Sequence, residues 1–181
     1  QYLSWLGDLS HGDLGPSFQY PDHRVSALLA DALPVTLMTG SAALLVAVLG
    51  GLGLGMLAAR HHGGNLDRLL MALSGLGLAL PKYVVAPLMV LLFAVVLRWL
   101  PAAGWGDPAQ WVLPVLALAL PNLAVSSRLV RAAALDALHS DALRAARARG
   151  LSARRLWLAH ILPLVALPLL AWLSPAMINL V

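Results

Sequence analysis

Charge along this chain falls almost entirely in the gaps between four long apolar runs. Residues 33–59 carry none, a length that crosses a hydrocarbon core of about 30 Å as a helix, with Pro34 near its start. The second run, 69–97, is broken by Pro81 and Lys82 and spans with a kink. A third, 111–127, contains Pro114 and Pro121, and a fourth begins near Leu156 and continues past Pro163, Pro168 and Pro175. The pattern predicts an all-α fold, a polytopic transmembrane helical bundle in one domain, with membrane helices at about 33–60, 69–98, 111–130 and 156–181. The chain starts at Gln1 and ends inside an apolar run, so an internal fragment of a longer membrane protein is expected.

The gaps supply an orientation. Nine of the twelve Lys and Arg lie in two of them: Arg60 and Arg68 in one, and Arg128, Arg131, Arg144, Arg147, Arg149, Arg154 and Arg155 in the other. By the positive-inside rule both face the cytoplasm, and residues 131–155 form a cytoplasmic loop. Residues 1–31 then form a periplasmic segment, with Asp8, Asp13, Asp22 and Asp31 against a single Arg24 and turn chemistry in GDLGPS at 12–17. The loop at 98–110 falls on the same outer side, and Trp99, Trp105 and Trp111 gather around it as an interfacial belt.

Composition agrees: 60% of the residues are hydrophobic, 11% are charged and the mean hydropathy is +0.82, values that mark a membrane protein. A pI near 10.3 suggests nucleic acid in a soluble protein, but here the basic residues sit between apolar runs without interleaved aromatics, so no nucleic-acid partner is expected. Without cysteine there is no disulfide, thiolate metal site or cysteine nucleophile, and the adjacent His61 and His62 cannot share one helix face and read as solvated loop residues. Glutamate, HExxH and the P-loop are also missing, so neither an enzyme nor a cofactor site is indicated. Ser74 in ALSGLG lacks the glycine that a rhomboid-type GxSG motif places before its serine. GGLGLG at 50–55 lies inside an apolar run rather than between a strand and a helix; there Gly51 and Gly55 form a groove for a second helix. Lys82 either snorkels from the kinked helix or lines a pathway. Asn122 and Ser126, one turn apart, either line that pathway or hydrogen-bond to a neighbouring helix.

Residues 140–163, SDALRAARARGLSARRLWLAHILP, concentrate charge, a helix break and a proline stop. Ser140 is placed to cap a helix whose first turn carries Asp141, and Gly150 to close it in the left-handed conformation. Ser152 is placed to cap the next helix, which runs through Leu156 into apolar sequence. The product is a short basic helix, an elbow and a membrane helix. Such an elbow either binds anionic headgroups or docks a cytoplasmic partner. A lipid anchor needs charge but not this geometry, which favours docking.

AARARG, nine residues and then HILP resembles the cytoplasmic EAA loop of ABC importer permeases: Glu-Ala-Ala, three residues, Gly, nine residues, Ile-x-Leu-Pro. Ala145, Ala146, Gly150, Leu162 and Pro163 match it; Arg144 stands in the place of the glutamate and His160 in that of the isoleucine, as in the peptide and nickel subgroup. HGDLGPSF at 11–18, PKYVVAPL at 81–88, LRWLPAAGW at 97–105 and residues 126–151 are similar to B-type membrane subunits of oligopeptide permeases. The resemblance implies an incomplete type I importer fold in the bacterial cytoplasmic (inner) membrane. Its implied partners are a second permease subunit, two cytoplasmic ABC ATPase subunits and a periplasmic or extracellular peptide-binding protein, in contact with membrane lipid. It assigns ATPase coupling to Asp141, Arg144, Ala145, Ala146, Arg147, Arg149, Gly150, Leu151, His160, Leu162 and Pro163. Dipeptide, nickel and glutathione importers share the loop pattern, while GPSFQY, YVVAPL and the Pro-Ala pair at 175–176 incline the reading to oligopeptides. A membrane scaffold with a lipid-binding loop is the rival from another class.

Overall fold

The computed structural model describes residues 12–20 and 22–178 together with Gly7 and Leu9, and of Lys82 the backbone alone. Expectations for residues 1–6, for Asp8 and His11 and for 179–181 lie outside the described residues. The chain divides into two compact units, Gln1–Thr39 and Gly40–Val181.

In the first unit a loop leads into a helix. Arg24 Nη1 donates to Asp13 Oδ2 at 2.7 Å, the other oxygen of Asp13 accepts the Gly15 N–H at 3.0 Å, and Pro16 and Arg24 form an isolated antiparallel bridge. Helix α1 (Val25–Arg60) begins directly behind this staple, so residues 25–31 are helical rather than part of the polar segment, and Pro34 lies inside the helix. A single exposed carboxylate, Asp31, does not interrupt a helix whose remaining positions favour it.

In the second unit the run at 69–98 is two helices. Helix α2 (Asn65–Ala79) and helix α3 (Lys82–Met89, continuing as a π-helical stretch Val90–Val96) meet at a bend of 110°. Pro81 causes it: the residue before a proline is pushed out of the helical region, and Leu80 accordingly has φ −83° and ψ 123°. Helix α4 (Pro108–His139) is longer than the span expected at 111–130. Its start is set by a capping box, in which Asp107 Oδ1 accepts the Ala109 N–H at 3.1 Å and Gln110 Oε1 accepts the Asp107 N–H at 3.3 Å. Its far end consumes the first part of the loop expected at 131–155, and helix α5 (Asp141–Ala148) takes up most of the rest. Helix α6 (Ala153–Ile178) completes the described chain. By length and composition α1, α4 and α6 each suffice to cross a membrane, and the bent α2–α3 pair gives a fourth crossing if it is one broken span.

Helix α4 is the hub of this unit. Gly51 and Gly55 of α1 pack on Ser126, Ser127 and Val130, so the groove expected from the glycine pair is filled by α4. Ser74 of α2 and Ser127 share a buried hydroxyl contact at 2.9 Å. Val85 and Met89 of α3 cluster with Leu113 and Ala117, and Val165 and Leu169 of α6 join the cluster that holds Val130 and Ala134. Hydrocarbon gives no hydrophobic drive between helices, so close approach rests on small side chains and satisfied hydroxyls, which this face of α4 supplies.

Candidate functional site

The elbow begins where α4 ends. Ser140 leaves the helical region with φ −68° and ψ 149°, and its Oγ accepts the Leu143 N–H at 3.3 Å while donating to Ala137 O at 2.7 Å, so one side chain ends α4 and caps α5. Helix α5 is closed by Gly150 at φ 76°, whose N–H donates to Arg147 O at 2.9 Å, with the Leu151 N–H 3.5 Å from Ala146 O. That pair of bonds is a Schellman closure, and it explains why glycine stands there. Ser152 occupies the N-cap of α6, but its side chain makes no capping bond.

Helix α5 is held by one face. Leu143 and Ala146 are buried in a cluster with Ala134, Ala137, Leu156 and Ile161, and Leu151 packs against the same cluster. Asp141, Arg144, Ala145, Arg147 and Arg149 are exposed. Arg144, in the place of the glutamate, folds back on the elbow itself: its Nη2 lies 3.1 Å from Asp141 Oδ1 and 3.3 Å from His139 O. His160 and Leu162 are half-buried and Pro163 is exposed. Pro163 is not a stop. Helix α6 runs through it after a π-helical stretch, Leu156–Ile161. The wider turn removes the clash between the proline ring and the carbonyl four residues earlier, and the helix continues.

A second feature ties the elbow's helix to α2. Asp67 is almost fully buried, and Arg131 of α4 grips it with both ends of its guanidinium, Nε at 2.6 Å from Oδ1 and Nη2 at 2.7 Å from Oδ2. Oδ2 also accepts the Gly63 N–H at 3.0 Å, which folds the 61–64 turn over the pair. Arg131 Nη2 stands 3.1 Å from His62 Nδ1, and since a guanidinium only donates, that nitrogen is the acceptor. His62 is therefore a partner of the ion pair rather than a purely solvated loop residue. Among the described residues no group of three His, Cys, Asp or Glu is arranged to hold a metal. Sequence reasoning missed this clasp. The available signal was that Asp67 is the sole acidic residue in the first basic gap.

The candidate pathway residues part company. Asn122 lines a cavity of about 520 Å³ with Gly77, Leu80, Pro81, Trp172 and Pro175, beside the α2–α3 bend. Its Nδ2 donates to Leu118 O at 3.0 Å within its own helix. Ser126 is fully buried instead, and its Oγ donates across to Ala47 O of α1 at 2.7 Å; of the two readings open to it, the structure shows the helix-to-helix bond. Lys82 opens α3 next to the bend, and its side chain lies outside the described residues.

Residues 51–181 match the family model described as binding-protein-dependent transport system inner membrane component. Over 183 aligned positions the chain is 41% identical to the oligopeptide transport system permease protein OppB of Escherichia coli (strain K12), an alignment that covers 100% of this chain and 60% of that protein. OppB of Haemophilus influenzae gives the same identity and coverage. The dipeptide transport system permease protein DppB of Bacillus subtilis (strain 168) is 36% identical over 174 residues, 96% of this chain and 56% of that protein. The chain thus spans about 60% of the length of the oligopeptide relatives.

Proposed function

Because this chain belongs to the binding-protein-dependent transport system inner membrane components, we propose that it acts in the bacterial cytoplasmic membrane as a multi-pass subunit of an ATP-driven oligopeptide importer. It forms part of the translocation path and couples that path to cytoplasmic ATPase subunits. It works with a second permease subunit, two ATPase subunits and an external peptide-binding protein; it has no P-loop, and its partners hydrolyse the ATP.

One observation carries the coupling role: α5 is bolted to α4 and α6 through Leu143 and Ala146 while Arg144, Ala145 and Arg147 face outward. Buried on one side and polar on the other, such a helix moves with the membrane spans and offers a surface to a partner. The Asp67–Arg131 clasp supports the sidedness. It holds the first turn of α2 at the level of Arg131, near the end of α4, so those two ends share one side of the membrane. Residues 108 and 131 are about 35 Å apart along the helix axis, so the start of α4 lies on the other side. On this reading the chain crosses between Asp67 and Pro108, and the bent α2–α3 pair is one broken span. Four crossings follow, and both basic gaps fall on the cytoplasmic face. The Asn122 cavity at the bend is the part of the path this subunit lines.

Gly150→Val tests the coupling. A β-branched residue at φ 76° carries a strain of about 1–2 kcal/mol. Nothing stands within 4 Å of the added Cβ, so the elbow shifts without a packing collapse. Peptide uptake by the assembled importer should fall roughly tenfold or more, with the ATPase subunits still co-purifying and still hydrolysing ATP. Normal uptake would sink the coupling role, and a permease that never brings down an ATPase would favour the scaffold reading. The dipeptide reading rests on the DppB similarity. Competition between labelled dipeptides and longer peptides in the same uptake assay separates the two.

A further inference from the structure

A cavity of about 410 Å³ opens between the end of α1 and the start of α6, lined by Arg60, Ala153, Arg154, Trp157 and Leu158. Arg60 is the last residue of α1 and Arg154 lies in the first turn of α6, so guanidiniums from two separate spans border one hollow. Among the described residues neither takes part in an ion pair and no carboxylate lines the wall. Both sit where an apolar span meets polar sequence, the level of the headgroups. The other wall is apolar: Trp157 packs against the cluster that contains Ala59, and Leu158 is 53% exposed.

We propose that this cavity binds an anionic glycerophospholipid, its phosphate between Arg60 and Arg154 and the start of an acyl chain along Trp157 and Leu158. The head must carry net negative charge, because a zwitterionic head brings its own cation against two guanidiniums. An acidic segment of an ATPase subunit would satisfy the charges but leave the Trp157 ring and Leu158 without hydrocarbon, so the mixed wall favours lipid. The site is separate from the outward face of α5. The cationic elbow therefore need not choose between lipid and protein: α5 offers one surface, and the junction of α1 and α6 the other.

The test uses the complete importer in phosphatidylcholine nanodiscs containing a minor fraction of phosphatidylglycerol with brominated acyl chains. Bromine should quench tryptophan emission, with a component that disappears in Trp157→Phe and that brominated phosphatidylcholine at the same fraction does not produce. Phosphatidylglycerol retained through purification, counted by mass spectrometry, should fall roughly thirty-fold in Arg60→Gln/Arg154→Gln and hold within about threefold in Arg60→Lys/Arg154→Lys. Equal Trp157 quenching by the two wild-type lipid mixtures overturns the proposal without any variant, and so decides the matter even if the glutamine variant does not accumulate. A glutamine variant that keeps its lipid but sheds its ATPase subunits also overturns it and assigns the cavity to an acidic segment of that partner. None of these readouts requires transport, so the site stands or falls apart from the identity of the peptide.

Discussion

Gly51→Ala is expected to destroy the seam between α1 and α4, although it adds one methyl group. The new Cβ would overlap Ser126 Oγ, approach Ser126 Cβ at 2.7 Å and Ser127 N at 3.0 Å. Rotating the serine hydroxyl removes only the first of these contacts, and it sacrifices the bond to Ala47 O. The helices must separate, and overpacking of this kind costs about 1–3 kcal/mol. Further loss follows in a bilayer, where close contact is itself the attraction between helices. The expected result is a permease that leaves the detergent-solubilised complex at markedly lower temperature, measured as the fraction still monodisperse after heating. Ser126→Gly in the same chain removes both the Oγ and the Cβ and should restore much of the loss. If Gly51→Ala alone matched the parent, the tight seam would be wrong. Gly53, with nothing within 4 Å of its added Cβ, is the control: Gly53→Ala should be silent or slightly stabilising.

What was legible in the sequence is what is local. Ser140 and Gly150 mark the two ends of α5 because a cap and a left-handed closure act within a few residues, and both appear where they were read. The Gly51 and Gly55 spacing pointed to a close helix contact, though not to which helix fills it. Boundaries were less legible wherever one residue's usual preference was outvoted. The polar pattern predicts loop at Asp31, which is helical; Pro163 predicts a stop but is absorbed by a π-helical stretch; and the apolar run predicts a span from Trp111 that a capping box begins at Pro108. Pro81 predicts a kink, and the chain there turns through 110°. At Pro163, Trp111 and Pro81 a nearby device, such as a wide turn, a cap or an extended residue before proline, decides the outcome.

Contacts distant in sequence were not legible at all. Asp67 and Arg131 are 64 residues apart, and neither local spacing nor charge counting distinguishes Arg131 from the other arginines of its gap. Ser126 can be placed on a helical face, but only the position of α1 against it decides between pathway and neighbouring helix. The residues that position α5 are its two buried, apolar ones, whereas the eye is drawn to its arginines.

Asp67→Ala should be among the most damaging single changes in the chain, and it should damage in a way that depends on Arg131. With the carboxylate gone, a guanidinium that is 23% exposed is left without its bidentate partner, and the Gly63 N–H loses its acceptor. Breaking a buried pair by removing one member costs about 3–5 kcal/mol, much of it the cost of the stranded charge. Arg131→Ala strands Asp67 in turn and should cost a similar amount. The double variant strands no charge, only the Gly63 N–H, so its loss should fall below that of either single change, a non-additivity of at least about 3 kcal/mol read from thermal inactivation of the purified complex. Additive losses would mean that the two side chains act separately. Transport supplies a second readout. The clasp fixes the first turn of α2 to the helix that carries the elbow, so under the proposed coupling role motion delivered to α5 would reach the α2–α3 bend and the Asn122 cavity through this joint. The double variant, although the most stable of the three, should therefore take up peptide several-fold more slowly than the parent at matched amounts of folded complex. Recovery of uptake along with stability would reduce the clasp to a brace.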